Sequence, residues 1–179
     1  MHFLLAFSRA IDELNERIGQ ATKWLVLVSV LVSAGNALFR YGFNMSSNAW
    51  LEIQWYLFSL VFLLGAGYTL KHNGHVRIDV LHGHFSARTK AWIDLVGSLF
   101  FLLPTAVLIG WLGWAGFADS YAIHEMSPDA GGLLRWPIKL AIPVGFMLLA
   151  LQAVSEAIKR WAYLTGRLVL QEEEAEETV

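Results

Sequence analysis

Four blocks of mostly apolar residues, separated by short charged connectors, constrain this chain more than any other feature. The hydrocarbon core of a bilayer needs ~20 predominantly apolar residues per helical crossing. The blocks at about 22–39, 51–70, 92–117 and 133–158 each suit one crossing. A soluble domain of this length would show apolar stripes of helical or strand period instead of blocks. Backbone groups in lipid must bond within their own segment, so the blocks are expected to be helices. Composition agrees, with 56% of residues apolar and only 16% charged. The chain has no cysteine, which removes disulfides, thiolate catalysis and cysteine-ligated metal or iron–sulfur centres. The expected fold class is an all-α integral membrane protein with four transmembrane helices.

The run Trp24–Ala34, ending Val32-Ser33-Ala34, has the look of a signal peptide. The preceding stretch holds Asp12, Glu13 and Glu16 and is too long and mixed for a basic leader. The segment is therefore expected to remain and to act as the first span.

Basic residues set the orientation. Arg9, Arg17, Lys23, Lys71, Arg77, Arg88, Lys90, Lys159, Arg160 and Arg167 fall on one side, against Arg40, Arg135 and Lys139 on the other. Ten against three is a clear positive-inside bias, so both termini and the middle connector are expected in the cytoplasm. The same bias argues against a dual-topology exporter, whose loops would be nearly balanced. Trp24, Trp50, Trp92, Trp114, Trp136 and Trp161 fall near expected span ends, where indoles favour the interface.

Residues 1–20 form a separate expected element. Leu4, Phe7, Ile11, Leu14 and Ile18 recur at spacings of three and four, with Arg9, Asp12, Glu13, Glu16 and Arg17 between them. This is the pattern of an amphipathic helix lying on the cytoplasmic interface, the alternative being a cytoplasmic extension of span one. Residues 21–165 are the expected four-helix membrane domain. Residues 166–179, ending QEEEAEETV, read as an acidic cytoplasmic tail.

An ionisable group inside a span is costly and is a functional hypothesis by default. Glu52 and Gln54 stand in the first turn of span two, Asp94 near the inner end of span three, Lys139 one turn past Trp136, and Glu156 near the inner end of span four. Each can reach the interface or a partner. Acidic and basic side chains are thus absent from mid-membrane, where a transporter builds its substrate and ion sites. Haem ligation would need histidines on facing spans, yet His72, His75, His82, His84 and His124 lie in connectors. Gly65-Ala66-Gly67 and the series Ala106, Gly110, Gly113, Gly116 would let helices approach closely. They equally fit the general enrichment of glycine in membrane helices. Pro104 and Pro143 are expected to kink spans three and four.

The segments WLEIQWYLFSLVFLLGAGYTLKHNGHVRIDVL, RTKAWIDLVGSLFFLLP and GGLLRWPIKLAIPVGFMLLALQAVSEAIKR together resemble a known family. It is the small (Q-type, DctQ-like) membrane subunit of tripartite ATP-independent periplasmic (TRAP) transporters. HVRIDVL and the WP-x-K-x-x-IP-x-GF pattern are its most specific parts, and the resemblance covers about residues 20 to 165. It implies a non-enzymatic subunit, without cofactor, in the bacterial inner membrane. Such a subunit scaffolds a large sodium-coupled membrane subunit that takes up an organic acid delivered by a periplasmic binding protein. The implied partners are those two proteins and membrane lipids, with no nucleic acid. The alternatives are a small four-helix anchor of an electron-transfer enzyme and a stand-alone exporter. Carried over by motif, Glu52, Arg77, Asp79, Asp94 and Lys139 are expected in ion pairs or partner contacts, with Trp136 and Pro137 fixing the entrance of span four.

HNGHVRIDVL, residues 72–81, holds two histidines and is followed by His82 and His84. A metal site is geometrically conceivable there, but Asp79 is the only nearby carboxylate. Asn73-Gly74 supplies turn chemistry directly after span two, and Lys71, Arg77, Arg88 and Lys90 hold the connector to anionic headgroups. Arg77 and Asp79 are too close in sequence to face each other on a helix, so different partners are expected for each.

Overall fold

The structure, a computed structural model, describes residues 2–44, 47–74 and 85–168. Arg77, Asp79, His75, His82, His84 and most of the acidic tail lie outside the described residues.

The described chain is helical apart from its turns and one loop, residues 123–135. Helix α1 spans His2–Phe43 and α2 spans Asn48–Lys71. Helix α3, Ala87–Val96, passes through a π-helical turn at Gly97–Leu102 into α4, Leu103–Ala122. Helix α5 spans Trp136–Leu164. Among the described residues, four helical stretches are long and apolar enough to cross a membrane, with α3, the π turn and α4 forming one of them.

The expected division at residue 20 is not a break in the helix. Residues 2–20 and the first span are one rod of 42 residues, about 63 Å long at 1.5 Å per residue. That is about twice a ~30 Å hydrocarbon core, so roughly half of α1 extends beyond it. The expected separate amphipathic helix is thus the opening half of α1. No proline or glycine falls between His2 and Ile18 to interrupt it.

Local chemistry accounts for the other boundaries. Helix α2 ends where Asn73 adopts a left-handed φ of 51° and Gly74 N–H returns to the Thr69 carbonyl at 2.8 Å. This is the turn that Asn-Gly supplies. Ser86 caps α3 by accepting the Thr89 N–H at 3.3 Å. The π turn precedes Pro104, which has no N–H to donate. Leu103 N–H reaches back five residues to Ser98, and the widened turn takes up the mismatch. Beside Pro104, where a kink is expected, the helix thus changes register locally. Span four begins at Trp136 rather than 133, because residues 133–135 pair with 125–127 in an antiparallel bridge.

Helix α5 is the centre of the bundle and packs against α1, α2, α3 and α4. Over its most apolar stretch 39% of residues are buried, against 11% for each other span. The remaining surfaces carry large exposed apolar side chains, among them Phe58, Phe62, Phe101 and Trp111, as a lipid-facing surface does.

Small residues mark the crossings. Gly145 meets α2 so closely that an added Cβ would lie 2.7 Å from the Leu63 carbonyl oxygen. At Gly113 it would lie 2.8 Å from Ile142. Gly110 also faces α5, whereas Gly116 faces open space. The structure thus separates packing glycines from the rest of the series.

Candidate functional site

Among the described residues, two polar clusters stand at opposite ends of the bundle, with an apolar slab between them; the one around residues 125–135 is named outer and the other inner, after the orientation expected from the basic residues. No Asp, Glu, Lys or Arg occupies positions 24–39, 53–70, 95–118 or 140–155.

The outer cluster is organised by Glu52, in the first turns of α2 and only 3% exposed. Its carboxylate accepts from the Ser127 hydroxyl and from the Leu133 backbone N–H at 2.6 Å. Arg135 Nη2 lies 3.4 Å from the same carboxylate and donates to Ser127 Oγ at 3.1 Å. The Arg135 guanidinium also stands 5.1 Å from the Trp55 ring centroid, a cation–π arrangement. Tyr56 donates to the Leu134 carbonyl at 2.8 Å and Asn48 to that of Ala130 at 3.0 Å. One carboxylate thus ties α2 to the loop that precedes α5.

Lys139 and Glu125 form an ion pair across the base of the same loop. The Lys139 ammonium, donating to Glu125, holds that carboxyl below its ordinary range. Trp136 packs edge-on against Tyr121, with centroids 5.4 Å apart, and against Phe117 at 6.4 Å. It therefore joins the end of α4 to the start of α5.

The inner cluster is a ladder between α1 and α5. Ser8 and Ser155 hydroxyls lie 2.7 Å apart. Ser155 donates to Asp12 at 2.7 Å, and Gln152 donates to the same carboxylate at 2.8 Å. Asn15 donates to Gln152 Oε1 at 2.9 Å. Lys159 completes the ladder, pairing with Asp12 at 3.2 Å and Glu156 at 2.6 Å. Glu16 reaches the end of α2, where Lys71 Nζ and His72 Nε2 lie 2.7 and 2.8 Å from one oxygen. Arg160, almost fully buried on α5, pairs with Asp94 of α3 at 3.2 Å. This end of every span is therefore linked to another by a charged or polar contact. The arrangement fastens helices.

Of the residues singled out in the sequence, Glu52, Lys139 and Trp136 meet around the outer loop, and Asp94 belongs to the inner end. Arg77 and Asp79 lie outside the described residues. Glu125, Ser127, Arg135, Asp12, Gln152 and Arg160 were not legible as partners. Their signal is weak, because the serines, Gln152 and Arg135 look like ordinary polar residues near span ends.

The family model described as "Tripartite ATP-independent periplasmic transporters, DctQ component" matches residues 19–162. The chain belongs to this family. A relative from Vibrio cholerae serotype O1 (strain ATCC 39315 / El Tor Inaba N16961) bears the name "C4-dicarboxylate TRAP transporter small permease protein DctQ". It is 27% identical over 169 residues, covering 82% of this chain and 72% of its own. No solved structure matches the chain. The DctQ match begins at residue 19, so the rungs Ser8, Asp12 and Asn15 precede it while Gln152 and Ser155 lie within it. The same match covers both halves of the outer cluster.

Proposed function

We propose that this chain is the small permease subunit of a TRAP transporter in the bacterial inner membrane, with both termini cytoplasmic. It scaffolds a large sodium-coupled subunit that takes up an organic acid delivered by a periplasmic binding protein. The observation that carries the reading is the division of polarity. Charged groups at each end pair with one another, and none stands at mid-depth where a substrate or ion would have to be held. Such a bundle is built to keep its shape while chemistry and movement belong to a partner. The basic residues that share the side of the inner cluster support the orientation. The name of the Vibrio cholerae relative makes a C4-dicarboxylate the first substrate to try.

In this reading Arg77 and Asp79 contact the large subunit, as do outward surfaces of the bundle. Coexpression with the large subunit should give a stable detergent-resistant pair, and Arg77→Ala should lower its yield. Proteoliposomes holding both subunits and supplied with loaded binding protein should take up substrate under a sodium gradient. Liposomes with either subunit alone should not. Transport by this chain alone would overturn the proposal, as would full uptake by the large subunit without it.

A further inference from the structure

Helix α1 carries a repeat of seven on a side that it turns away from the bundle. Phe7, Leu14, Ala21, Val28, Gly35 and Gly42 follow one another at that spacing. Phe3, Ala10, Trp24, Leu31 and Leu38 alternate with them at spacings of three and four, and Arg17 alone breaks the apolar run. This is the pattern of a coiled-coil seam. All of these residues are exposed except Gly35, which is half-buried. A Cβ added at Gly35 or Gly42 would meet nothing within 4 Å, so both leave room for a neighbour. The buried line of the helix, through Ser8, Ile11, Asn15, Gly19 and Thr22, runs on an adjoining side.

Lipid accounts for only part of this seam. From Phe3 to Gly42 it is about 58 Å long at 1.5 Å per residue, against a ~30 Å hydrocarbon core. Glu16 pairs with Lys71, the last residue of α2, so Phe3 lies about 20 Å beyond the inner end of that span. This part does not lie across the interface plane. Ser8, Asp12 and Asn15 bond to Ser155 and Gln152 in antiparallel order, which holds α1 lengthwise against α5. One apolar face that runs from hydrocarbon into water suits a long helix of another protein chain.

Charge separates the two possible chains. Two copies of this protein in one membrane orientation would pair α1 in parallel, with each seam position beside its own copy. Arg17 would then oppose Arg17. That guanidinium is well exposed, and its ion pair is to Glu13 of the same helix. It suits instead a different helix that offers a carboxylate or other oxygen at that level.

We infer that this seam is where the large membrane subunit docks, through one long apolar helix that crosses the bilayer beside α1 and continues past its inner edge. The inference rests on the scaffold reading and names the surface that reading uses. A repeat of seven favours a left-handed crossing of about 20°, with the partner's side chains over Gly35 and Gly42.

The test places p-benzoyl-phenylalanine at Phe7, Leu14, Leu31 and Leu38 in turn, in the full chain coexpressed with the large subunit. Each should crosslink to the large subunit on irradiation. The same probe at Phe58 on α2 or Trp111 on α4, both exposed, should not. Gly35→Leu should melt like the parent when alone, yet weaken the detergent-solubilised pair about tenfold. Gly116→Leu, facing open space on α4, should leave the pair unchanged. Failure of the unmodified chains to pair would sink the scaffold reading and the seam together. A pair that crosslinks only from Phe58 or Trp111, or keeps full affinity after Gly35→Leu, would overturn the seam and leave that reading standing. Crosslinks between two copies of this chain, or none from any of the four seam positions, would overturn it as well.

Discussion

Glu52 and Lys139 stand out in the sequence as charges at the edges of apolar blocks. Their partners were not recognisable, because the outer loop folds back to bring residues 52 and 133 together and no local pattern encodes that return. The pairing of Glu125 has a consequence for pH. Its carboxyl is held below the ordinary value of 4.5 by Lys139, so the folded state favours the ionised form. The contribution is complete above that ordinary value and is lost as pH falls through the lowered one. A nitroxide on Met126→Cys, placed in a chain that has no other cysteine, should stay restrained at neutral pH. It should gain mobility only on acidification below about 4.5. Lys139→Met should raise the pH at which mobility appears; an unchanged profile would remove the ion pair from the account.

Among the elements, α1 is the one whose packing face was not legible. Its apolar stripe reads as an interfacial face, and Leu4, Phe7 and Leu14 are exposed. The buried line runs through Ser8, Ile11, Asn15, Gly19 and Thr22, and being mostly polar it shows no apolar period. Polar groups removed from water must find one another. The crossings of α5 were half legible, since the sequence offers several glycines and does not rank them. Gly145→Ala pushes a methyl against the Leu63 backbone and should cost about 1–3 kcal/mol, the range of overpacked sites. Gly116→Ala meets nothing within 4 Å and should be neutral or stabilising by up to about 1 kcal/mol through helix propensity. Thermal unfolding of both variants in one detergent compares them directly, and equal midpoints would contradict the close crossing.

For the whole molecule, membership of four spans was plain from the blocks, while their arrangement around α5 was not. The reason is that packing in a bilayer rests on shape and scattered hydrogen bonds, not on an apolar stripe that a period would reveal. The Asp94–Arg160 pair is a charged link between α3 and α5. Asp94→Ala breaks this largely buried pair and should destabilise the fold by about 3 kcal/mol. Reversing the pair, with Asp94→Arg and Arg160→Asp together, should recover more stability than either single change. No recovery in the double variant would mean that the two side chains act independently.

Because α3 and α4 pack on α5 rather than on α1 or α2, synthesis runs ahead of assembly. The hairpin of α1 and α2 can close as soon as it leaves the ribosome. The third span must wait in the bilayer until the last helix arrives. A nascent chain stalled before Trp136 therefore holds one finished half and one orphan, and the orphan is what membrane quality-control proteases should find first.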